Sequence, residues 1–325
     1  MVVVVGAGLA GGVLALALAR QGRSVTLVGA AAGSGTPPAT ALSYGGVLGR
    51  TGARQWRRLQ ASHGPLGWRR CGLRRHGGPW PWQALPMPFS RVDAPALLAA
   101  LPSAWAAAGV RRLEATVEQL LPVGASDAPR WQLRLRTTSG AAQELTAQQV
   151  VLAAGAGSAA LWPSLRLRLQ ISWAGVLTLP AAAGPNPWLT AVRRGQVVLP
   201  QRFQRTDLER RGQPGDWCVD AGLAPWGGGA LLGQISWLPT AANAAPPSWL
   251  EERLRQGLAQ LDPALGRLDA AFQQVPVAFS RQGSPWLGPV PDAAGLWACC
   301  GFSGPFGQLP AAVEQLAAII DTTTS

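Results

Sequence analysis

Hydrophobic residues at the start of the chain follow an order that predicts a strand, a tight turn, a helix and a second strand. Residues 2–5 are an unbroken run of valine, residues 12–20 are rich in alanine and leucine, and residues 24–28 form a second apolar run. β-Branched runs favour strands, whereas alanine and leucine favour a helix. We therefore expect a buried β-turn-α-β unit at this end of the sequence.

Glycine spacing in the first turn indicates that this unit binds a dinucleotide. The six residues after the first strand are Gly6, Ala7, Gly8, Leu9, Ala10 and Gly11. In such a unit the first glycine makes the turn, the second lets the backbone approach a pyrophosphate, and the third allows close packing of the helix. The alternative is an ordinary alanine-rich buried helix, and the strand–helix–strand context favours the dinucleotide.

One expected residue is missing after the second strand. Dinucleotide sites usually carry an acid there, which holds the adenosine ribose. This strand ends in Val28, Gly29 and Ala30, whose side chains accept no hydrogen bond. We expect a weaker hold on the ribose, or one supplied from elsewhere in the chain.

The next patterns predict a helix and a small antiparallel unit. Asp93 can cap a helix that Pro102 should kink or interrupt. A strand is expected over residues 110–122, with Val117 as a buried anchor, and apolar and polar residues alternate over residues 131–136.

Two later segments repeat the opening chemistry. Residues 149–158 are a buried strand that runs into small residues, where the backbone can approach a cofactor. Residues 295–300 predict another buried strand, the glycine-rich residues 301–307 follow it, and an amphipathic helix is expected from Gln308 onward.

Between these segments the pattern changes to short strands separated by glycine and proline turns, which predicts a mainly antiparallel sheet with helices on one side. One clear helix is expected there, with Ser248 as its N-cap and Glu251 completing a capping box. The predicted strands are residues 171–179, 195–199, 217–223 and 230–237.

Charge is distributed unevenly along the chain. The formal net charge is +12, and residues 1–92 contain eleven Arg but no Asp or Glu. Arginines with interleaved tryptophans can bind phosphates or nucleic-acid bases. A solvated or substrate-facing cluster is the favoured interpretation, because the whole chain uses Arg and no Lys. The cluster consists of Arg50, Arg54, Arg57, Arg58, Arg69, Arg70, Arg74 and Arg75, with Trp56 and Trp68.

The cysteines have neither a C-x-x-C pair nor metal-ligand spacing with His63 or His76, so we expect reduced thiols, no metal site and a cytoplasmic protein. No stretch is long and apolar enough to span a bilayer, and the glycine-broken apolar start is interpreted as a buried strand and helix.

Four motifs, in this order along nearly the whole chain, resemble the FAD-dependent oxidoreductases of the D-amino-acid oxidase type, which include glycine oxidase and sarcosine oxidase. They are GAGLAGG at residues 6–12, VVLAAGAGSAAL at 150–161, SPWLGPVP at 284–291 and GFSGPFG at 301–307. The resemblance implies an α/β fold, in which a Rossmann-like FAD-binding domain carries an inserted substrate domain with a mixed, mainly antiparallel sheet.

The resemblance also implies an activity: oxidation of a C–N bond of an amine or amino acid by hydride transfer to flavin N5, with O2 or another electron acceptor. The expected FAD-binding domain comprises residues 1–62, 92–166 and 284–325, and the substrate domain residues 63–91 and 167–283. Amides at the start of the last helix would stabilise the negative charge of the reduced flavin.

Site residues are assigned by the same resemblance. Arg281, Tyr44 and Gln308 are the candidate catalytic residues. Arg281 is the nearest cation to the family's carboxylate-binding position, which here falls near Val277. Either Arg281 or the cluster around Arg69–Arg75 supplies this cation, or the substrate is not a simple amino acid. The candidate FAD contacts are Gly6, Ala7, Gly8, Leu9, Ala10, Gly11, Gly29, Thr40, Ala41, Leu42, Ser43, Gly45, Gly46, Val117, Ala154, Gly155, Gly304, Phe306, Gly307, Gln308 and Leu309.

Two other functions stay open at this point. The basic cluster, and a likeness of the expected fold to the oxidase half of a tRNA wobble-uridine-modifying enzyme, raise the hypothesis of a flavoprotein that acts on or binds tRNA. The missing ribose acid and substrate arginine raise the hypothesis of a degenerate FAD fold kept for interaction. Cys299 and Cys300 are interpreted as buried thiols in a core strand, in preference to a covalent flavin link.

Overall fold

The computed structural model describes residues 1–30, 38–47, 49–77, 87–124, 130–181, 185–240 and 247–322. The strands are, in chain order, β1 (Val2–Val5), β2 (Val25–Gly29), β3 (Gly46–Val47), β4 (Trp68–His76), β5 (Met87–Val92), β6 (Arg111–Val123), β7 (Arg130–Thr137), β8 (Ala142–Ala147), β9 (Gln149–Leu152), β10 (Leu169–Leu179), β11 (Val197–Pro200), β12 (Trp217–Val219), β13 (Leu223–Trp226), β14 (Gly229–Trp237), β15 (Ala271–Ser280), β16 (Trp286–Pro289) and β17 (Leu296–Cys300).

The helices connect these strands and cover the sheets. They are α1 (Leu9–Arg20), α2 (Gly49–His63), α3 (Ala94–Ala107), α4 (Ser158–Leu161), α5 (Pro187–Arg193), α6 (Gln204–Arg211), α7 (Pro247–Leu261) and α8 (Pro305–Thr322). Short 3-10 turns lie at Ala39–Leu42, Gly155–Gly157, Pro163–Leu167 and Leu265–Arg267. Among the described residues, no helix combines the length and the apolar character needed to cross a membrane.

The first sheet, sheet A, has the strand order β16-β17-β9-β1-β2-β6-β7-β8. Strand β1 pairs in parallel with β2 on one side and β9 on the other, and β17 pairs in parallel with β9. A parallel sheet buries both faces, which explains why these strands are continuously apolar. Strands β17, β9 and β1 are therefore neighbours whose carboxyl ends lie at one edge of sheet A.

Helices α1, α3 and α8 cover one face of sheet A and enclose a hydrophobic core with it. Leu14, Leu16, Leu101, Leu316 and other fully buried side chains meet there. Helix α3 is capped by Asp93, whose side chain accepts a hydrogen bond from the Ala96 amide at 3.4 Å, as the sequence predicts.

The second sheet, sheet B, is mixed and mainly antiparallel, with the order β15-β10-β14-β13-β11-β4-β5-β3 and with β12 paired to β14. Strand β11 pairs in parallel with β4, and the other pairings in this sheet are antiparallel. Leu250, Leu254 and Leu258 on one face of α7 are fully buried against it. These two sheets confirm the predicted fold class.

Several local predictions are wrong, each for a physical reason. Helix α3 continues through Pro102, so the expected interruption is wrong, because the packing of its buried Leu101 and Trp105 outweighs one lost backbone hydrogen bond. Helix α7 begins at Pro247, so Ser248 lies in its first turn, and Glu251 pairs with Arg255 at 2.8 Å instead of completing a capping box.

The predicted strand over residues 217–223 is two strands, because the chain leaves the β12 pairing after Val219 and joins β13 at Leu223. Asp220 lies in the interval between them and is buried.

Candidate functional site

The turn from β1 into α1 has the tight geometry that its glycines predict. Gly6 has φ of +113°, and a Cβ there would lie 2.5 Å from the carbonyl oxygen of Ala153. A Cβ on Gly11 would lie 1.9 Å from the carbonyl oxygen of Gly6. Glycine is therefore required at both positions by the protein's own backbone.

Gly8 differs from its two neighbours, because no crowding within the described part of the protein demands a glycine there. Its φ of −75° is open to any residue, and a Cβ would meet only Pro38 Cβ at 4.0 Å. Helix α1 has no side-chain cap and no acid in its first turn. The open space over Gly8 and the uncapped amides of α1 together fit the diphosphate of a dinucleotide.

Two other strand ends meet this turn. The chain after β9 approaches it so closely that a Cβ on Gly6 would lie 2.7 Å from Ala154 Cα. Gly29, at the end of β2, faces Ala7, and a Cβ on Gly29 would lie 2.5 Å from Ala7 Cβ. Of the candidate FAD contacts, Ala7, Gly29 and Ala154 thus lie together with the fingerprint.

Val117 lies on β6 and is 9% exposed, in a core cluster that it shares with Val5 and Val28. Gly155, the next residue after Ala154, is exposed and has φ of +56°. A Cβ placed on Gly155 would have no described atom within 4 Å, so the space beside this residue is open.

Residues 40–46 form a compact segment tied to sheet B. Gly45 has φ of +69°, and a Cβ there would lie 1.8 Å from the carbonyl oxygen of Val92. The indole of Trp226 donates a hydrogen bond to the Ala41 carbonyl oxygen at 2.7 Å. The Thr40 hydroxyl is buried and has no hydrogen-bond partner among the described residues. An orphaned hydroxyl in this segment fits a polar cofactor group.

The last glycine-rich turn leads into α8 earlier than the sequence predicts. Helix α8 begins at Pro305, three residues before Gln308. The amides of Gly307 and Gln308 both donate to the carbonyl oxygen of Gly304, at 3.1 and 3.2 Å. They are therefore not the free donors that we expected, and Phe306 supplies the first amide N–H of the helix because Pro305 has none.

The three candidate catalytic residues lie in different environments. Tyr44 is 8% exposed, its hydroxyl donates to the Asp220 carbonyl oxygen at 3.2 Å, and burial raises its pKa well above the ordinary value. The Tyr44 hydroxyl is therefore enclosed and already bonded, and its catalytic role stays a prediction. Gln308 is exposed on α8, and Arg281 is exposed on the turn after β15, where its amide donates to the Arg168 carbonyl oxygen at 2.9 Å.

A polar cluster that sequence reasoning missed lies beside the last glycine-rich turn. It consists of Arg205, Glu209, Asp220 and Ser303. The Arg205 guanidinium donates to the Ser303 carbonyl oxygen, and its Nε lies 3.5 Å from Glu209 Oε1. The Asp220 carboxylate accepts the amides of Gln204 and Arg205 at 2.7 and 3.0 Å, at the start of α6.

Burial controls the protonation of this cluster. Desolvation raises the pKa of Glu209 above its ordinary value, and the nearby Arg205 and Ser303 only partly offset it. Desolvation also raises the pKa of Asp220, although the two α6 amides lower it. The one sequence signal that could have found the cluster is Asp220, a lone acid between two apolar runs.

The basic cluster is divided between two elements. Arg50, Arg54, Arg57 and Arg58 are exposed on α2, and no ion pair to them occurs in the described part of the chain. In β4, by contrast, Arg69 pairs with Asp93 at 3.3 Å, Arg74 donates to Gln196, and Arg75 donates to the Gln201 carbonyl oxygen.

The histidines and cysteines offer no evident catalytic group or metal site. His76 bonds the Ala221 carbonyl oxygen, and burial lowers its pKa; burial also lowers the pKa of His63. Within the described ranges no cluster of His, Cys, Asp and Glu could hold a metal ion. Cys299 and Cys300 are 0% and 2% exposed in β17, as their interpretation as buried thiols requires.

Comparison with known proteins gives one family and several structures of the same fold. The profile described as pyridine nucleotide-disulphide oxidoreductase matches residues 1–169. No curated protein matches the sequence. Glycine oxidase from Bacillus cereus is similar in structure, with 16% identity, a TM-score of 0.67, and coverage of 100% of this chain and 95% of that one.

Two further structures are similar over nearly their whole length. Iminodiacetate oxidase from Chelativorans has 17% identity and a TM-score of 0.66, with 99% of this chain and 95% of that chain covered. L-amino acid deaminase from Proteus vulgaris, in a form lacking its specific insertion, has 15% identity and a TM-score of 0.63, with 99% and 89% covered. These likenesses confirm the predicted fold over the full chain.

Proposed function

The chain belongs to the pyridine nucleotide-disulphide oxidoreductase family, and from that premise we propose that it is an FAD-dependent enzyme that oxidises a C–N bond of an amine or amino acid. Three of the proteins that share its fold are named for glycine, iminodiacetate and L-amino acids. When bound, FAD supplies the hydride acceptor. O2 or another acceptor would take up the electrons that leave the substrate.

One observation carries this proposal. Strands β1, β9 and β17 are neighbours in sheet A, and each ends in a glycine-rich turn, at residues 6–11, 153–157 and 301–307. Parallel strands bring such turns to one edge of the sheet, where ligands of α/β folds bind. The open space over Gly8 would hold the diphosphate, and the turn at residues 301–307 would border the flavin ring. Sheet B then encloses the substrate.

The division of the chain follows from these assignments. We assign residues 1–62, 92–166 and 284–325 to FAD binding and residues 63–91 and 167–283 to the substrate domain. Strand β3, at residues 46–47, pairs with β5 and so extends from the first group into sheet B.

Arg205 is the cation that we assign to a substrate carboxylate. Its guanidinium bonds the Ser303 carbonyl oxygen in the turn that borders the flavin, whereas Arg281 is exposed to solvent. Glu209 holds Arg205 in place through the contact of 3.5 Å. A substrate amine that arrives neutral needs no strong base, which agrees with the absence of a suitably placed histidine or tyrosine from the described residues.

Reconstitution with FAD tests the proposal directly. The purified protein is expected to be yellow and to bleach under anaerobic conditions when the right amine or amino acid is added. Oxygen consumption on readmission of air then separates an oxidase from a dehydrogenase. A protein that stays colourless after incubation with FAD would contradict the proposal, and so would a yellow protein that no amine in a broad panel bleaches.

A second candidate function, nucleic-acid binding, is favoured by the exposed arginines of α2. Four exposed guanidinium groups on one helix form an electrostatic surface for phosphates. Binding of a tRNA should then weaken steeply as salt rises, and replacement of Arg50, Arg54, Arg57 and Arg58 by glutamine should abolish it. Retention of RNA that is insensitive to salt would contradict this function.

The thiols, none of them disulfide-bonded in the described chain, favour a cytoplasmic location.

A further inference from the structure

Helix α8 carries a proline, Pro310, in its second turn. A proline in a helix has no N–H for the carbonyl four residues earlier, and its ring presses against that carbonyl. In α8 the affected group is the Phe306 carbonyl oxygen, which lies in the first turn of the helix. This oxygen is therefore left without its helical donor at the place where the helix meets the proposed flavin site.

Trp56 on α2 supplies the missing donor. Its indole Nε1–H donates to the Phe306 carbonyl oxygen at 2.6 Å, and its side chain is fully buried. The aromatic rings of Trp56 and Phe306 also lie near each other, with centroids 6.3 Å apart. A buried carbonyl without a partner is costly, so this single bond satisfies a group that the backbone of α8 cannot.

Helix α2 approaches α8 closely enough to fix its first turn. One helical turn before Trp56 is Gly52, where a Cβ would lie only 3.1 Å from the Gly307 carbonyl oxygen. The same turn of α8 contains the amides of Phe306 and Gly307. Any tilt of the Phe306 carbonyl moves the Gly307 amide, because the two belong to one rigid peptide plane. Such a tilt therefore disturbs the hydrogen bond from the Gly307 amide to the Gly304 carbonyl oxygen, which closes the first turn of α8.

From these contacts we propose that Trp56 is a positioning residue, which replaces the helical donor removed by Pro310 and so fixes the first turn of α8, with its first amide at Phe306, against the flavin. This inference rests on the proposed FAD site. It assigns to α2 a structural link with the flavin environment, made through a backbone carbonyl and without contact to substrate.

A double-mutant cycle with Pro310 tests the proposal. Trp56→Phe removes the indole N–H and retains an aromatic ring, whereas Pro310→Ala gives residue 310 an amide N–H that can donate to the Phe306 carbonyl oxygen. If Trp56 acts as the replacement donor, Trp56→Phe should weaken FAD binding about tenfold in the Pro310 protein. The same change should cost no more than about threefold in the Pro310→Ala protein.

Two readouts accompany FAD affinity. The urea midpoint of the apoprotein should fall in Trp56→Phe and recover in Trp56→Phe/Pro310→Ala. The midpoint potential of bound FAD should move to more negative values in Trp56→Phe, because less ordered amides stabilise the reduced flavin less well. The potential should return to the wild-type value in the double variant. A loss of packing alone would not produce this recovery.

Trp131→Phe is the matched control. Trp131 is 2% exposed, and its indole also donates to a backbone carbonyl, that of Ala294, at 3.0 Å. It lies on β7, away from α8, so its substitution should leave the potential unchanged.

If Trp56→Phe lowers FAD affinity equally in the wild-type and Pro310→Ala backgrounds, Trp56 does not act as the replacement donor. The positioning role would be overturned if the urea midpoint recovers in Trp56→Phe/Pro310→Ala while the flavin potential of Trp56→Phe equals that of the wild-type protein. If the wild-type protein binds no FAD, the proposed function fails, while the urea cycle on the apoprotein still decides whether Trp56 replaces the donor.

Discussion

Gly11 lies against the carbonyl oxygen of Gly6 so closely that a Cβ on Gly11 would be 1.9 Å from that oxygen. The first turn of α1 is thereby pressed onto the end of β1. Gly8, between them in sequence, faces open space, with Pro38 Cβ at 4.0 Å as the nearest described neighbour of a Cβ placed there. Three glycines of one motif therefore have different physical roles.

This difference predicts opposite phenotypes for two alanine substitutions. Gly11→Ala should destabilise the fold by about 3 kcal/mol, because a backbone oxygen must move to admit the methyl group. Gly8→Ala should leave the free energy of unfolding within about 1 kcal/mol of wild type, since its φ of −75° suits alanine. It should nevertheless weaken FAD binding at least about tenfold, because the methyl group would occupy the space of the diphosphate.

Urea unfolding of the apoproteins and FAD titration measure these effects separately. Wild-type FAD affinity in Gly8→Ala would show that the diphosphate does not approach Gly8. Normal stability of Gly11→Ala would show that β1 and α1 are farther apart than the structure has them.

Arg205 and Arg281 are predicted to differ in their effect on substrate binding. Arg205→Lys should raise KM at least about tenfold with a carboxylate-bearing substrate, because the planar fork that holds a carboxylate is lost while the charge beside Glu209 is kept. Arg281→Ala should change KM less than about twofold, because its side chain is exposed and an exposed charge contributes little.

Steady-state kinetics of the FAD-loaded variants check this prediction, with FAD content as the control for folding. A raised KM in Arg281→Ala, together with an unchanged KM in Arg205→Lys, would return the carboxylate site to the residue that the sequence favours.

Glu209 gives a prediction about pH. Its folded-state pKa is raised, chiefly by burial, while Arg205 and Ser303 oppose the shift and Asp220 adds to it. As pH rises above the ordinary value of 4.5, the unfolded chain loses this proton before the folded protein does, so stability falls. Glu209→Gln never ionises. It should therefore be more stable than wild type at pH 7 and equal to it below about pH 4.

Chemical denaturation of both proteins from about pH 4 to about pH 8 measures the gap. A gap that is constant with pH, or a variant that is less stable at neutral pH, would show that the attraction of Arg205 exceeds the cost of burying the carboxylate.

Thiol labelling is expected to distinguish one cysteine from the other three. Cys218, Cys299 and Cys300 are buried, and burial raises the pKa of Cys218 and of Cys300 to about 12. At about pH 8 the thiolate fraction of such a group is only about 10⁻⁴, so attack on a disulfide reagent is slow. Cys71 is half-buried and should be the one thiol that reacts in the native protein.

Counting thiols with a chromogenic disulfide reagent, before and after denaturation, checks this expectation. In the denatured protein all four cysteine thiols should react with the reagent. A denatured count one short of that number, in a protein that keeps its yellow colour, would instead reveal a covalent flavin link.

Local sequence determined the parts of the site that depend on backbone geometry. The strand–turn–helix at residues 2–20, the buried strand at 295–300 and the glycine-rich turns were predictable, because positive φ and close backbone approach are demands that glycine alone satisfies cheaply. The resemblance to FAD-dependent oxidoreductases rests on these elements. The fold is confirmed, and the chain belongs to the pyridine nucleotide-disulphide oxidoreductase family.

Local rules failed where packing outweighs propensity. Pro102 lies inside α3, although it removes a backbone hydrogen bond. Tyr44 precedes two glycines, Gly45 and Gly46, a pattern typical of an exposed turn, yet its ring is buried in the core of sheet B. Burial of apolar surface stabilises by more than one lost hydrogen bond costs, and the sequence pattern does not show which surface will be buried.

Long-range contacts were decided by the tertiary structure alone. Arg205 and Ser303 are separated by 98 residues, and Trp56 and Phe306 by 250, so no spacing rule connects them. Their meeting depends on how sheets A and B pack and on where α2 and α6 lie against the last turn. The sequence determined where the backbone could admit a dinucleotide, and only the packed chain decided which side chains surround it, because side-chain neighbours across a core are set by the joint fit of many elements.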